Sequence, residues 1–180
     1  CVRMDSLLRT TITNVFSLHI ASNNVVGTLP NEISTLYEAT GIQLFQNNLT
    51  GSIPAGFANL TKLELLDMEQ NQMWGPAFPN ALLTLSNLQQ LFLSNNAFTG
   101  TIPNDVVVRL PSLTDLWGAD NELVGKMPLN IGEMSNLQTL ILYENNLDGV
   151  LPESLGNLTG LTNLQLYNNI FVSTIPTTFY

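Results

Sequence analysis

The chain repeats itself about every 24 residues. Each copy is anchored by an asparagine with an apolar residue two positions later: Asn23, Asn47, Asn71, Asn96, Asn121, Asn145 and Asn169, spaced 24, 24, 25, 25, 24 and 24 apart. An LxLxxN frame precedes each anchor, filled by Leu18-Ile20, Ile42-Leu44, Leu66-Met68, Leu91-Leu93, Leu116-Gly118, Leu140-Leu142 and Leu164-Leu166. A tail of the form LxGxIP follows, clearest at Leu49-Gly51-Ile53-Pro54, Phe98-Gly100-Ile102-Pro103 and Leu147-Gly149-Leu151-Pro152. One such copy cannot bury its leucine face alone, so the copies must stack and share a continuous core. The two longer spacings have local causes. The third tail, Gly75-Pro76-Ala77-Phe78-Pro79, is one residue long, and Val106-Val107-Val108 holds an extra residue in the fourth. Both insertions lie outside the frame, so the stack stays in register.

Elementary geometry gives each part of the unit a job. Leu-x-Leu alternation predicts a short strand with its leucines on one face. Each strand pairs in parallel with the next copy, about 4.8 Å away. The anchor asparagines form a ladder whose amides satisfy backbone groups of neighbouring turns. Glycine then permits a tight bend, and proline ends the sheet. Stretches such as Glu153-Ser154-Leu155-Gly156-Asn157-Leu158 space apolar residues three apart, which suits a short 3₁₀ turn on the outer side. Leu44, Leu93, Leu142 and Leu166 are expected to be buried and stacked.

The motif LxxLxLxxNxLxGxIP at a 24-residue period resembles the plant-type leucine-rich repeat of receptor-like kinase and receptor-like protein ectodomains. The resemblance covers about residues 12–180 and implies an α/β-type solenoid, a right-handed superhelix. A parallel sheet lines its concave face and short 3₁₀ or irregular turns its convex face. It also implies that the tail forms a second short strand. By the same resemblance, residues 1–11 are the remnant of an N-terminal cap or flank, and 12–180 are about seven repeats, truncated at the C-terminus. Cys1 stands where the last cysteine of a paired cap would be.

Composition removes several function classes. Five Lys plus Arg against 14 Asp plus Glu give a net charge of −9, and there is no basic run. Nucleic acid and anionic lipid need clustered cations, so no nucleic-acid partner is expected. No apolar run is long enough to span a bilayer, so a membrane enters only through segments outside this chain. One cysteine rules out a disulfide framework and a multi-cysteine zinc site. The single histidine, His19, sits at a solvated strand position, and the glycines fall at bends rather than in a phosphate loop. The chain is therefore expected to be no enzyme and to hold no cofactor or metal. Asp120 and Glu144 occupy one position in adjacent copies and form an acidic surface.

The strand positions facing outward are more informative. The residue between the two frame leucines reads His19, Gln43, Asp67, Phe92, Trp117, Ile141, Gln165 down the stack. The residue after the second leucine reads Ala21, Phe45, Glu69, Ser94, Ala119, Tyr143, Tyr167. The candidate ligand-binding surface is therefore Phe92, Trp117, Ile141, Tyr143 and Tyr167, rimmed by Asp67, Glu69, Asp115, Asp120 and Glu144. An apolar patch with a polar rim marks a binding surface. Trp117 is the expected anchor. Gly118 beside it replaces a core side chain, which predicts a shallow dip.

Three sequons begin at Asn48, Asn59 and Asn157, about as many as this composition gives by chance. Asn59 and Asn157 are equivalent in their repeats, on the outer turn, where a glycan is tolerated. The resemblance implies an extracellular or cell-surface ectodomain that recognises a peptide or protein ligand. The acidic balance favours a basic one. Two alternatives share the motif: a secreted inhibitor of the polygalacturonase-inhibitor type and a structural or ice-binding array. The array would use regular threonine rows, but the tail positions mix Thr28, Ser52, Pro76, Thr101, Lys126, Val150 and Thr174.

Overall fold

The structure is a computed structural model that describes residues 3–4, 14–172 and 176–179. Among the described residues, fourteen strands alternate between two parallel sheets. The odd strands are β1 (Ser17–His19), β3 (Gly41–Gln43), β5 (Leu65–Asp67), β7 (Gln90–Phe92), β9 (Asp115–Trp117), β11 (Thr139–Ile141) and β13 (Asn163–Gln165). They lie side by side in chain order, so every frame contributes one strand to one sheet. The even strands come from the tails: β2 (Val26–Thr28), β4 (Asn48–Gly51), β6 (Gln72–Pro76), β8 (Ala97–Gly100), β10 (Glu122–Lys126), β12 (Asn146–Gly149) and β14 (Ile170–Phe171). This is the solenoid that the motif implies, second strand included.

Each coil closes through a short helical turn. Asn31–Thr35, Ala55–Asn59 and Glu153–Asn157 are 3₁₀ turns that directly follow Pro30, Pro54 and Pro152. Proline has no N–H for the ladder, so the sheet stops there. Its carbonyl instead accepts the first turn bond, from Ile33, Phe57 or Leu155 at 3.0–3.2 Å. The fourth copy differs, with an α-helical turn at Val106–Arg109. Arg109 N–H donates to Asp105 O (2.9 Å) and Leu110 N–H to Val106 O (2.9 Å). The extra residue widens the 3₁₀ turn into an α turn and leaves the strands in place.

The core fills the space between the two sheets and these turns. Leu44, Leu93 and Leu142 are buried, as are the tail residues Leu49, Met73, Phe98, Leu123 and Leu147. Leu166 departs from expectation. It is only partly buried, with Leu161 and Leu164, because β13 ends its sheet and nothing described stacks on it. Gly118 leaves no void, because a Cβ there would meet Leu142 Cδ2 at 3.2 Å and Leu123 Cδ1 at 3.5 Å. The volume beside Trp117 is thus already occupied from the core side, and the expected dip has no basis. Of the flank 1–11 only Arg3 and Met4 are described. Met4 is fully buried in the same core, and Arg3 bridges Val26 in parallel. Cys1, Ile12 and Thr174 lie outside the described residues.

Two measurements probe this stack. Leu142→Ala should cost about 2–5 kcal/mol in urea unfolding, since it opens a cavity in a close-packed row, and Leu166→Ala should cost clearly less. By native-state hydrogen exchange, amides of β13 should open well before those of β9, because a half-covered end strand has fewer buried contacts to lose.

Candidate functional site

The odd sheet presents two rows of side chains on its open face. Cα pairing runs Gln43–Asp67, Asp67–Phe92, Phe92–Trp117, Trp117–Ile141 and Ile141–Gln165, so the first row is continuous across six strands. Phe92 and Trp117 form a tilted ring pair, with centroids 4.7 Å apart and planes at 49°. In the second row Tyr143 and Tyr167 stack almost parallel, at 4.5 Å and 5°. Aromatic pairs of this kind add stabilisation beyond the area they bury. Both Phe92 and Trp117 are half-buried. The indole N–H of Trp117 is enclosed and meets no acceptor, and the side-chain carbonyl of Gln43 is likewise enclosed without a donor.

Two of the candidate residues are less open than the alternation implies. Ile141 is 8% exposed and Asp67 is 8% exposed. Side-chain direction alone put them on the surface, but each has large neighbours on both sides in the row. Asp67 stands between Gln43 and Phe92, and Ile141 between Trp117 and Gln165. Tyr143, Glu69 and Asp115 are half-buried, while Asp120, Glu144 and Tyr167 are exposed. Asp115 accepts hydrogen bonds from Thr114 (2.9 Å) and Gln90 (3.4 Å). Asp120 and Glu144 both sit in a left-handed bend, at φ 52° and 54°. Among the described residues no group of three or more His, Cys, Asp or Glu is placed to hold a metal ion.

The electrostatics are one-signed. Lys62 pairs with Glu38 at 2.6 Å, Arg109 lies 3.8 Å from Asp105 in the outer turn, and Lys126 ends β10 in the other sheet. The seven stretches from the start of each odd strand to the residue after its anchor (17–24, 41–48, 65–72, 90–97, 115–122, 139–146 and 163–170) contain no Lys or Arg. Burial raises the pKa of Asp67, partly offset by the hydrogen bond from the Glu69 backbone N–H (3.2 Å). Burial also raises Glu69, aided by repulsion from Asp67 and opposed by a hydrogen bond from Ser94. The small residues Ser94 and Ala119 are buried between Glu69 and Tyr143 in the second row. Residue size in that column was readable in the sequence, but its effect on exposure was not.

The other named asparagines divide by place. Asn48 is exposed at the start of β4, and Asn59 and Asn157 are exposed at the ends of equivalent outer turns.

The Leucine Rich Repeat family model matches residues 87–107 and 136–158. No protein of curated function matches the chain by sequence. Among solved structures, the plant peptide hormone receptor RGFR1 in complex with RGF2 is similar at 29% identity and a TM-score of 0.86, over 93% of this chain and 30% of that one. The PEPR1–AtPEP1 structure is similar at 34% identity and a TM-score of 0.80, over 86% of this chain and 21% of that one. The Arabidopsis receptor kinase HAESA, in complex with the peptide hormone IDA and the co-receptor SERK1, is similar at 29% identity and a TM-score of 0.73, over 89% and 30%. The chain therefore spans less than a third of the length of these structures.

The acid pair generates a pH prediction. A carboxylate raised by the fold binds its proton more tightly in the native state than in the unfolded chain. Its stability contribution is thus greatest below its ordinary value and is lost as pH rises through the raised one. With ordinary values of 3.8 for Asp67 and 4.5 for Glu69, the loss falls above about pH 4. Asp67→Asn keeps the acceptor for the Glu69 N–H and removes the charge. In urea unfolding across pH 4 to 7, it should gain on the wild type as pH rises. A constant difference would disprove the burial argument.

Proposed function

We propose that this plant-type leucine-rich-repeat solenoid is a ligand-recognition module, part of an extracellular receptor ectodomain, that binds a peptide or protein on its concave face and performs no chemistry of its own. The observation that carries the reading is the open face of the odd sheet. One ring pair lies on β7 and β9 and the other just past the ends of β11 and β13, and the seven stretches hold carboxylates but no Lys or Arg. Large rigid rings give contact area at small entropy cost, and a one-signed rim steers and selects an oppositely charged partner. The relatives named above support it, since one is described as a peptide hormone receptor in complex with RGF2 and another as bound to the peptide hormone IDA. Residues 12–180 would form the recognition unit, with Met4 of the flank 1–11 packed into its core.

The test uses a defined probe, a random heptapeptide library displayed on phage and selected on the immobilised chain at pH 7. Enriched peptides should lose at least about 2 kcal/mol of binding to Trp117→Ala, roughly thirtyfold in Kd. They should bind Thr28→Ala, altered on the other sheet, as tightly as the wild type. Equal affinity for the two variants would move recognition off the concave face.

A further inference from the structure

On β3, β5 and the segment that follows β5, three side-chain acceptors stand close together with few donors among them. Asp67 is nine-tenths buried, and Lys62 and Arg109 pair with Glu38 and Asp105 instead. Its carboxylate takes one backbone hydrogen bond, from Glu69. Its Cα partner across the ladder is Gln43, whose enclosed carbonyl oxygen has no donor at all. Glu69 follows two residues along the same strand direction, half-buried. A buried acceptor left unmet is costly, and a buried carboxylate beside a half-buried one, with no counter-charge, is costlier still. Immediately beyond Asp67 in the row comes Phe92, and then Trp117 with its unmatched N–H.

We propose that Gln43, Asp67 and Glu69 seat the basic side chain of a peptide laid across the strands, and that an apolar side chain two residues away along the ligand rests on the Phe92–Trp117 ring pair. The inference rests on the concave-face reading above and adds the ligand's chemistry and spacing. An arginine fits the seat best, because its guanidinium offers five N–H donors to two carboxylates and the unmet Gln43 carbonyl oxygen. The spacing follows from strand geometry. The midpoint of Phe92 and Trp117 lies one and a half strand spacings from Asp67, about 7 Å. Two residues of extended peptide span about the same distance, and side chains two apart point to the same face. The recognised unit is therefore Arg-x-apolar, with the middle side chain turned to solvent.

The seat is also sensitive to pH. The residues placed across from the acid pair are Gln43 and Phe45 on the β3 side and Phe92 and Ser94 on the β7 side, none of which titrates. Protonation of Asp67 and Glu69 removes the charge that holds the ligand's cation, so affinity falls as the solution is acidified.

The peptides selected as above supply the test. Enriched sequences should carry Arg or Lys two positions from Phe, Leu, Met or Trp. The double variant Asp67→Asn/Glu69→Gln should bind them at least tenfold more weakly. Wild-type affinity should fall as the pH is lowered from 7 to 4, and that of the double variant should stay flat. If the double variant does not fold by circular dichroism, Glu69→Gln alone should weaken binding and reduce the pH dependence, which Asp67 still carries in part. Enriched peptides without a basic residue, or with affinity unchanged in these variants, would overturn this inference. The concave-face reading would survive that result so long as Trp117→Ala still weakens binding. Peptides indifferent to Trp117 as well, or no enrichment, would overturn both.

Discussion

A single carboxamide per coil ties two backbone segments of one repeat to the next. Asn145 is typical: its Nδ2 donates to Gly118 O of the preceding copy (2.8 Å) and to Leu142 O of its own (3.2 Å), while its Oδ1 accepts Leu123 N–H (2.9 Å). Asn47, Asn71, Asn96, Asn121 and Asn169 repeat this pattern one coil apart. The chain leaves the odd sheet at this point, and its carbonyls would otherwise be buried without donors. Only a side chain with a donor and an acceptor at this length meets both needs. Aspartate would lose the donors and leucine would lose everything, each leaving buried backbone groups unpaired at about 1–3 kcal/mol apiece. Asn145→Ala should accordingly destabilise the chain by at least that amount in urea unfolding, and Asn23→Ala by less. Asn23, exposed in the first coil, reaches only Ile20 O and Ala21 O of its own copy among the described residues.

The ladder also sustains a strained residue. The position before each anchor has φ of 52–59° in Ser22, Gln46, Gln70, Asn95, Asp120, Glu144 and Asn168, none of them glycine. The left-handed region costs such residues about 1–2 kcal/mol each. It persists because the backbone is fixed on both sides. Gln70, for example, donates to Ser94 O (3.0 Å) and accepts from Asn47 N–H (3.2 Å). This bend sets the two sheets out of step. Partners in the odd sheet are 24 or 25 residues apart, whereas partners in the even sheet are 22 or 23 apart, as in Val26–Asn48 and Trp74–Ala97. The even strands therefore run diagonally to the coil repeat, and successive coils twist.

Most of this was legible in the chain because folding duty and periodicity coincide. The inward positions Leu44, Leu93 and Leu142, the anchors and the tail prolines recur at fixed offsets, so their places could be assigned without coordinates. The outward rows were legible as rows, which is why Phe92 and Trp117 could be put on adjacent strands. What the pattern could not supply was side-chain packing within a row. Enclosure of Asp67 and Ile141 depends on which neighbours lean over them. Filling of the Gly118 position depends on the rotamers of Leu142 and Leu123. The left-handed column was invisible for another reason: Ser, Gln, Asn, Asp and Glu share no propensity, and the bend is imposed by the bonds around it.

The same division of labour explains where recognition can reside. A residue of the core or the ladder cannot vary without cost, since each is held by the copies on both sides. The two outward rows carry no such duty, and there this chain departs from neutral choices. It spends large rings at Phe92, Trp117, Tyr143 and Tyr167 and buries an unpaired acid at Asp67. Had stability been the only demand, a Lys or Arg in any of the seven stretches would have lowered the cost of so many carboxylates at close quarters. None occurs there, while the described cations serve the outer turns and the other sheet. Excluding internal cations from a negative, ring-lined face leaves that face's demand for positive charge to be met from outside the chain. A surface held in that state is less stable by itself and more selective toward a basic partner.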